Sequence, residues 1–218
     1  MVIKEFGSLT GYKKQCPTPE KALEILKEGN ERFVNNLSVN RNLMEDALTT
    51  SEEQNPVAVV LSCLDSRSSA DIIFDQPIGG VFSARVAGNI VNDDILGSME
   101  FACMLSTATL IMVIGHSSCG AVEGAIGPPD GVEEVEMYNL KNLLKKIVPA
   151  IDAVVRPELP QFRNNENTHF VNKVIKENVI LTMEDIKKRS ETLRNLDKNG
   201  DIMIVGGVHN LSDGTIKY

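Results

Sequence analysis

The feature that most constrains this chain is a set of short β-branched runs that do not alternate with polar residues. Val57-Ala58-Val59-Val60-Leu61 is apolar throughout, which is the pattern of a strand covered on both faces. Val81-Phe82-Ser83-Ala84-Arg85-Val86, Leu110-Ile111-Met112-Val113-Ile114 and Ile202-Met203-Ile204-Val205 are further strand candidates. The first three deliver polar or small residues at their carboxyl ends: Ser62-Cys63, Ala87-Gly88-Asn89 and Gly115-His116. Helical patterns surround and separate the runs. Thr18-Pro19-Glu20 opens one that carries Leu23, Leu26, Phe33 and Val34, and Asp93 or Asp94 caps another that carries Ile95, Met99, Phe101 and Leu105. A third spans Tyr138 to Val155 with a kink or break at Pro149, and a fourth runs from Thr168 to Leu196 with one interruption. Ser212-Asp213-Gly214 turns the last run into a terminal strand, Thr215 to Tyr218. The expected class is therefore α/β: a mostly parallel central sheet of four strands plus a short C-terminal antiparallel strand, flanked by helices, with an N-terminal helical arm. A length of 218 residues suits a single domain, 1–218.

Composition removes several function classes. Against 30 Asp and Glu stand 22 Lys and Arg, a net charge of −8 with no basic cluster, so neither nucleic acid nor an anionic membrane is the expected partner. No apolar run approaches the ~18 residues of a spanning helix, and Met1 to Gly7 form no apolar signal core, so a cytoplasmic location is expected. Four cysteines, at 16, 63, 103 and 119, are too few to staple a chain of this size. They are inert, metal-binding or catalytic.

In an open parallel sheet, ligands bind beyond the carboxyl ends of the strands. Two clusters sit there, Cys63-Leu64-Asp65-Ser66-Arg67 and His116-Ser117-Ser118-Cys119-Gly120. Two thiolates and an imidazole suit Zn²⁺, which prefers four-coordinate tetrahedral sites. Three strong ligands leave the fourth position to water or to Asp65, the plan of a catalytic site. Either cluster alone would be weak, since a buried cysteine is usually a small core residue. Both at sheet ends, with Asp and Arg two and four residues after the first cysteine, form a specific pattern. Cys16, in the arm, and Cys103, beside Met104 on a helix, read as structural, and His169 and His209 have no partner at ligand spacing.

These motifs resemble those of the β-class carbonic anhydrases, and the resemblance spans roughly Thr18 to Tyr218. The family's Cys-x-Asp-x-Arg falls on Cys63, Asp65 and Arg67, and its His-x-x-Cys on His116 and Cys119. Arg85-Val86-Ala87-Gly88-Asn89 is similar to its Arg-Asn-Ala-Gly-Asn loop, and Gln54, nine residues before the first zinc cysteine, to its substrate-binding Gln. The resemblance implies reversible hydration of carbon dioxide to bicarbonate, one Zn²⁺ per chain, and a homodimer or homotetramer. It also implies dimerisation through the arm and helix of residues 1–35, an active-site cleft at the interface, and Gln54 facing the partner's zinc.

Zinc lowers the pKa of bound water from about 15.7 to about 7. Two thiolates neutralise the metal charge, so that ionisation is harder here and activity should rise with pH above 7. Asp65 would accept a hydrogen bond from the attacking oxygen while Arg67 holds the carboxylate away from the metal. If that pair broke, Asp65 could close the fourth position. Gln54 and the Gly88 N–H are candidate donors to the substrate oxygen, and Phe82 a candidate apolar wall. The competing readings are a hydrolase of carbonyl sulfide or carbon disulfide on the same scaffold and a structural zinc protein closed by Asp65. A redox protein would need a close Cys-x-x-Cys pair, which the chain lacks.

Overall fold

A computed structural model describes residues 17–127, 131–157 and 159–218. Cys16 and most of the N-terminal arm lie outside the described residues. The helices are α1 (Pro19–Val34), α2 (Leu43–Thr49), α3 (Ala70–Ile73), α4 (Asp93–Met104), α5 (Gly120–Ile126), α6 (Tyr138–Leu144), α7 (Val148–Ala153), α8 (Thr168–Arg189) and α9 (Glu191–Asn199). The strands are β1 (Ala58–Ser62), β2 (Val81–Arg85), β3 (Leu110–His116), β4 (Met203–His209) and β5 (Ile216–Lys217), in one sheet of order β2-β1-β3-β4-β5. The pairs among β1 to β4 are parallel, and β5 runs antiparallel to β4. This is the expected class and strand count. Among the described residues no helix is long and apolar enough to cross a membrane.

The unbroken apolar runs fill both faces of the sheet. Ala58, Val60, Leu110, Met112 and Ile114 pack with Leu26 of α1 and Ile73 of α3. Val59, Leu61, Ile111 and Val113 turn the other way, onto Met99 of α4 and Val179 and Ile186 of α8. Each such side chain stabilises the fold by roughly 1.5–3 kcal/mol when fully buried. Gly29 lets α1 approach closely, since a Cβ there would lie 1.8 Å from the Phe74 carbonyl oxygen. The Asp75 carboxylate accepts from Arg32 at 2.5 Å and from Arg41 at 2.5 Å, tying α1 and the segment after it to the turn that ends α3.

Helix ends follow side-chain chemistry. Thr18 caps α1 as expected, but α4 is capped by Asn92, whose side chain accepts from the Ile95 N–H, so Asp93 and Asp94 occupy its first turn. Pro149 divides the Tyr138–Val155 stretch by opening α7, and Ser190 divides the next one, ending α8 and capping α9. Helix α2 falls where only a polar stretch is apparent in the sequence. It buries none of its residues, and no apolar stripe announces it.

Candidate metal centre

Adjacent parallel strands bring the two motifs together. Ser62, the last residue of β1, stands in register with Ile114 of β3, so Cys63 leaves the sheet one step on, close to where His116 ends its strand. Cys119 is the N-cap residue of α5. The ligand atoms of Cys63, His116 and Cys119 all lie within 4.8 Å of one another, and all three residues are buried. The two sulfurs are 4.0 Å apart, near the ~3.8 Å edge of a tetrahedron with metal–sulfur bonds of about 2.3 Å.

The His116 ring is set for ligation. It is 1% exposed, and its Nδ1 lies 2.9 Å from the Ser117 carbonyl oxygen, which fixes the proton on that nitrogen. Nε2, buried and without a hydrogen-bond partner, keeps its lone pair for the space between the sulfurs. Between themselves the two cysteines would share one proton. The Cys119 thiol draws the Cys63 pKa down, while the same contact and burial push Cys119 up. A divalent cation displaces that proton and takes both as thiolates. The residues present therefore fit a tetrahedral zinc with one open position.

Asp65 stands beside the three residues, its Oδ2 3.9 Å from His116 Nε2. Arg67 grips it from the other side. Its Nε donates to Oδ1 at 2.9 Å, its Nη2 to Oδ2 at 2.7 Å, and its backbone N–H to Oδ1 at 2.9 Å. The Arg67 side chain accordingly holds the Asp65 carboxyl far below the usual carboxylate range. The turn that carries them is pinned from two strands. From the end of β2, Arg85 donates to the carbonyl oxygens of Cys63 at 3.2 Å, Leu64 at 3.1 Å and Asp65 at 2.5 Å. On the other side Ser68 Oγ lies 3.1 Å from Nδ1 of the buried His209, while the Ser68 N–H donates to the Asp65 carbonyl. His209 is the last residue of β4, in register with His116. Burial, with His116 adding, holds its ring below the ordinary imidazole value.

A family model described as carbonic anhydrase matches residues 58–216. The chain belongs to the carbonic anhydrase family. It is 33% identical over 197 residues to "Carbonic anhydrase 2" of Mycobacterium tuberculosis, covering 90% of each chain. Its fold is that of the β class. The β-carbonic anhydrase CcaA superposes with a TM-score of 0.68 at 23% identity, over 90% of this chain and 86% of that one. A chain described among two tetrameric β-carbonic anhydrases of Sordaria macrospora gives 0.61 at 21% identity, over 80% and 89%. Membership answers the broad question of class: an enzyme family, not a redox protein.

The other expected site residues fall differently. Gly88 adjoins the cage at φ 69°, but its N–H donates to Cys63 Sγ at 3.4 Å, so the expected donor to substrate is engaged by a sulfur. Phe82 lies opposite Val59 in mid-strand, its ring edge-on to Phe101 at 6.4 Å, four residues short of the level of Cys63. Gln54 is exposed at the amino end of β1, beside Gly79, and the strand alone puts ~16 Å between that end and Cys63. Neither Phe82 nor Gln54 joins the cage of its own chain. Sequence reading quotes Arg85 only as part of a motif and leaves His209 without a partner, so it misses the contacts both make around the site. Their roles depend on which strands are neighbours, which no local pattern reveals.

Proposed function

We propose that this protein catalyses the reversible hydration of carbon dioxide to bicarbonate and a proton, with one zinc ion per chain held by Cys63, His116 and Cys119. The observation that carries the reading is a buried two-sulfur, one-nitrogen cage beside a carboxylate whose two oxygens are both taken by Arg67. A carboxylate so held leaves the fourth position to solvent, which favours catalysis over a closed structural site. Zinc bound there would supply a water with a pKa lowered toward 7, within the reach of neutral solution.

The chain's own residues then act on that water and on the substrate. Asp65 accepts a hydrogen bond from the water and turns its lone pair toward the carbon. One C–O bond forms, an electron pair of one C=O bond moves onto its oxygen, and the water's proton leaves to buffer. Arg67 keeps Asp65 ionised throughout, and Arg85 with the Ser68–His209 contact keeps the turn from drifting. Cys63 and Cys119 lower the charge left on the metal, so the turnover rises with pH above 7.

The pocket that receives carbon dioxide is completed by a second copy of the chain. Helix α2 supports this reading, because Leu43, Met44 and Leu48 are 60%, 66% and 63% exposed and a seven-residue helix has little stability unaided. Among the described residues strand β2 also stands at an edge of the sheet. In such a homodimer or homotetramer, Gln54 and Phe82 of the partner subunit line the cleft that each lacks in its own chain. Stopped-flow hydration of carbon dioxide by the zinc-loaded protein, run beside carbonyl sulfide and carbon disulfide hydrolysis, tests the reading. Turnover of carbon dioxide well above the other two is expected. Turnover of a sulfur substrate with negligible carbon dioxide hydration would overturn it.

A further inference from the structure

Helix α8 turns an otherwise apolar face toward the core. Its buried residues are Phe170, Val171, Val174, Ile175, Asn178, Val179, Thr182 and Ile186. The two polar members, one helical turn apart, reach the same short stretch of backbone. Asn178, 3% exposed, donates through Nδ2 to the Gly88 carbonyl oxygen at 2.8 Å, and the Thr182 hydroxyl donates to the Asn89 carbonyl at 3.5 Å. A buried amide on an apolar helix face costs stability unless something requires it. Here the requirement is at the other end of the same residue. The N–H of Gly88 points at Cys63 Sγ, 3.4 Å away. Gly88 is also tightly boxed: a Cβ there would lie 2.6 Å from Ile147 Cδ1, so a side chain at this position would have to displace that contact.

We infer that Asn178 is a positioning residue for the metal centre, holding Gly88 by its carbonyl so that the N–H at the other end of the residue stays on the Cys63 thiolate. The inference rests on the zinc reading above and deepens it. An N–H donor on a metal thiolate draws electron density from the sulfur and weakens its donation to the metal, and such outer contacts set affinity and the reactivity of bound solvent. Asn178 acts on the sulfur only through Gly88. The amide of a core helix is thereby connected to the ligand that comes first in the chain.

The test uses the enzyme loaded with Co²⁺, whose thiolate-to-metal charge-transfer band reports the donor strength of the sulfurs, and with zinc for the rate of metal loss to a chelator. Asn178→Ala removes the donor, and Asn178→Leu keeps the size while presenting no donor. Both are expected to move the band to longer wavelength and to change metal loss by roughly ten-fold. Thr182→Val, on the same helix face, is expected to leave the band in place whatever it does to stability. If Asn178→Ala does not fold, Asn178→Leu carries the comparison. A folded Asn178 variant with the band and the metal-loss rate of the wild type would overturn the inference, even with a lowered Tm. A wild-type chain that takes up no Co²⁺ and shows no band would instead overturn the zinc reading itself.

Discussion

The two ends of the parallel sheet are built on opposite terms. At the carboxyl end, Cys63, His116 and Cys119 are buried, and the turn through Asp65 is held by Arg67, Arg85 and Ser68. At the amino end and along the arm, Gln54 is exposed, and Leu43, Met44 and Leu48 face outward. A metal ligand must meet its neighbours within tenths of an ångström, so the cage is built inside one chain, from adjacent strands. A small apolar substrate needs only walls and a donor, which a second chain can bring. On the proposed reading the cage is a property of the monomer, and the pocket a property of the assembly.

The largest expected effect separates these two at the cage. Cys119→Ser replaces a soft ligand, so metal analysis of the purified variant should find zinc largely lost and hydration abolished; full zinc and full turnover would break the comparison. Asp65→Asn keeps size but removes the ionised acceptor. It should retain one zinc per chain while turnover falls by about 10² or more, the usual scale for a positioned proton acceptor. Leu48→Glu acts at the other end. Placing a charge on α2 should shift the protein toward monomers in light scattering and lower turnover by roughly ten-fold, with zinc content unchanged. Monomers as active as the wild type would mean that each chain completes its own pocket.

How much of this was legible in the sequence depends on range. The strands showed themselves because a two-sided burial demands an unbroken β-branched run, and the three candidate ligands because thiol and imidazole stood at strand ends. Helix boundaries were less so: Asn92 outcompeted Asp93 and Asp94 as a cap, and Ser190 broke a helix without Gly or Pro. Arg85, His209 and Asn178 could not be assigned from local pattern. Each serves a residue at least 20 positions away, and the register that joins them exists only in the folded sheet. Arg85 alone stood in a quoted motif, which named no partner for it.

The smallest effect sharpens the carboxyl end further. His209 is held neutral by burial and by His116, so its folded pKa lies below the unfolded value near 6.5. The unfolded chain then binds more protons in acid, and stability present above about pH 6.5 is lost as the pH falls. His209→Gln should flatten the fall in Tm as the pH drops below about 6.5, by at most about 1.4 kcal/mol per pH unit of difference removed. An unchanged slope would mean that His209 is already charged in the fold.

The most direct measurement is the zinc X-ray absorption spectrum of the purified protein. The account predicts one zinc per chain with two sulfur neighbours at about 2.3 Å, one nitrogen at about 2.0–2.1 Å and one further light atom. A shell without sulfur, or a protein that hydrates carbon dioxide with no metal bound, would contradict it.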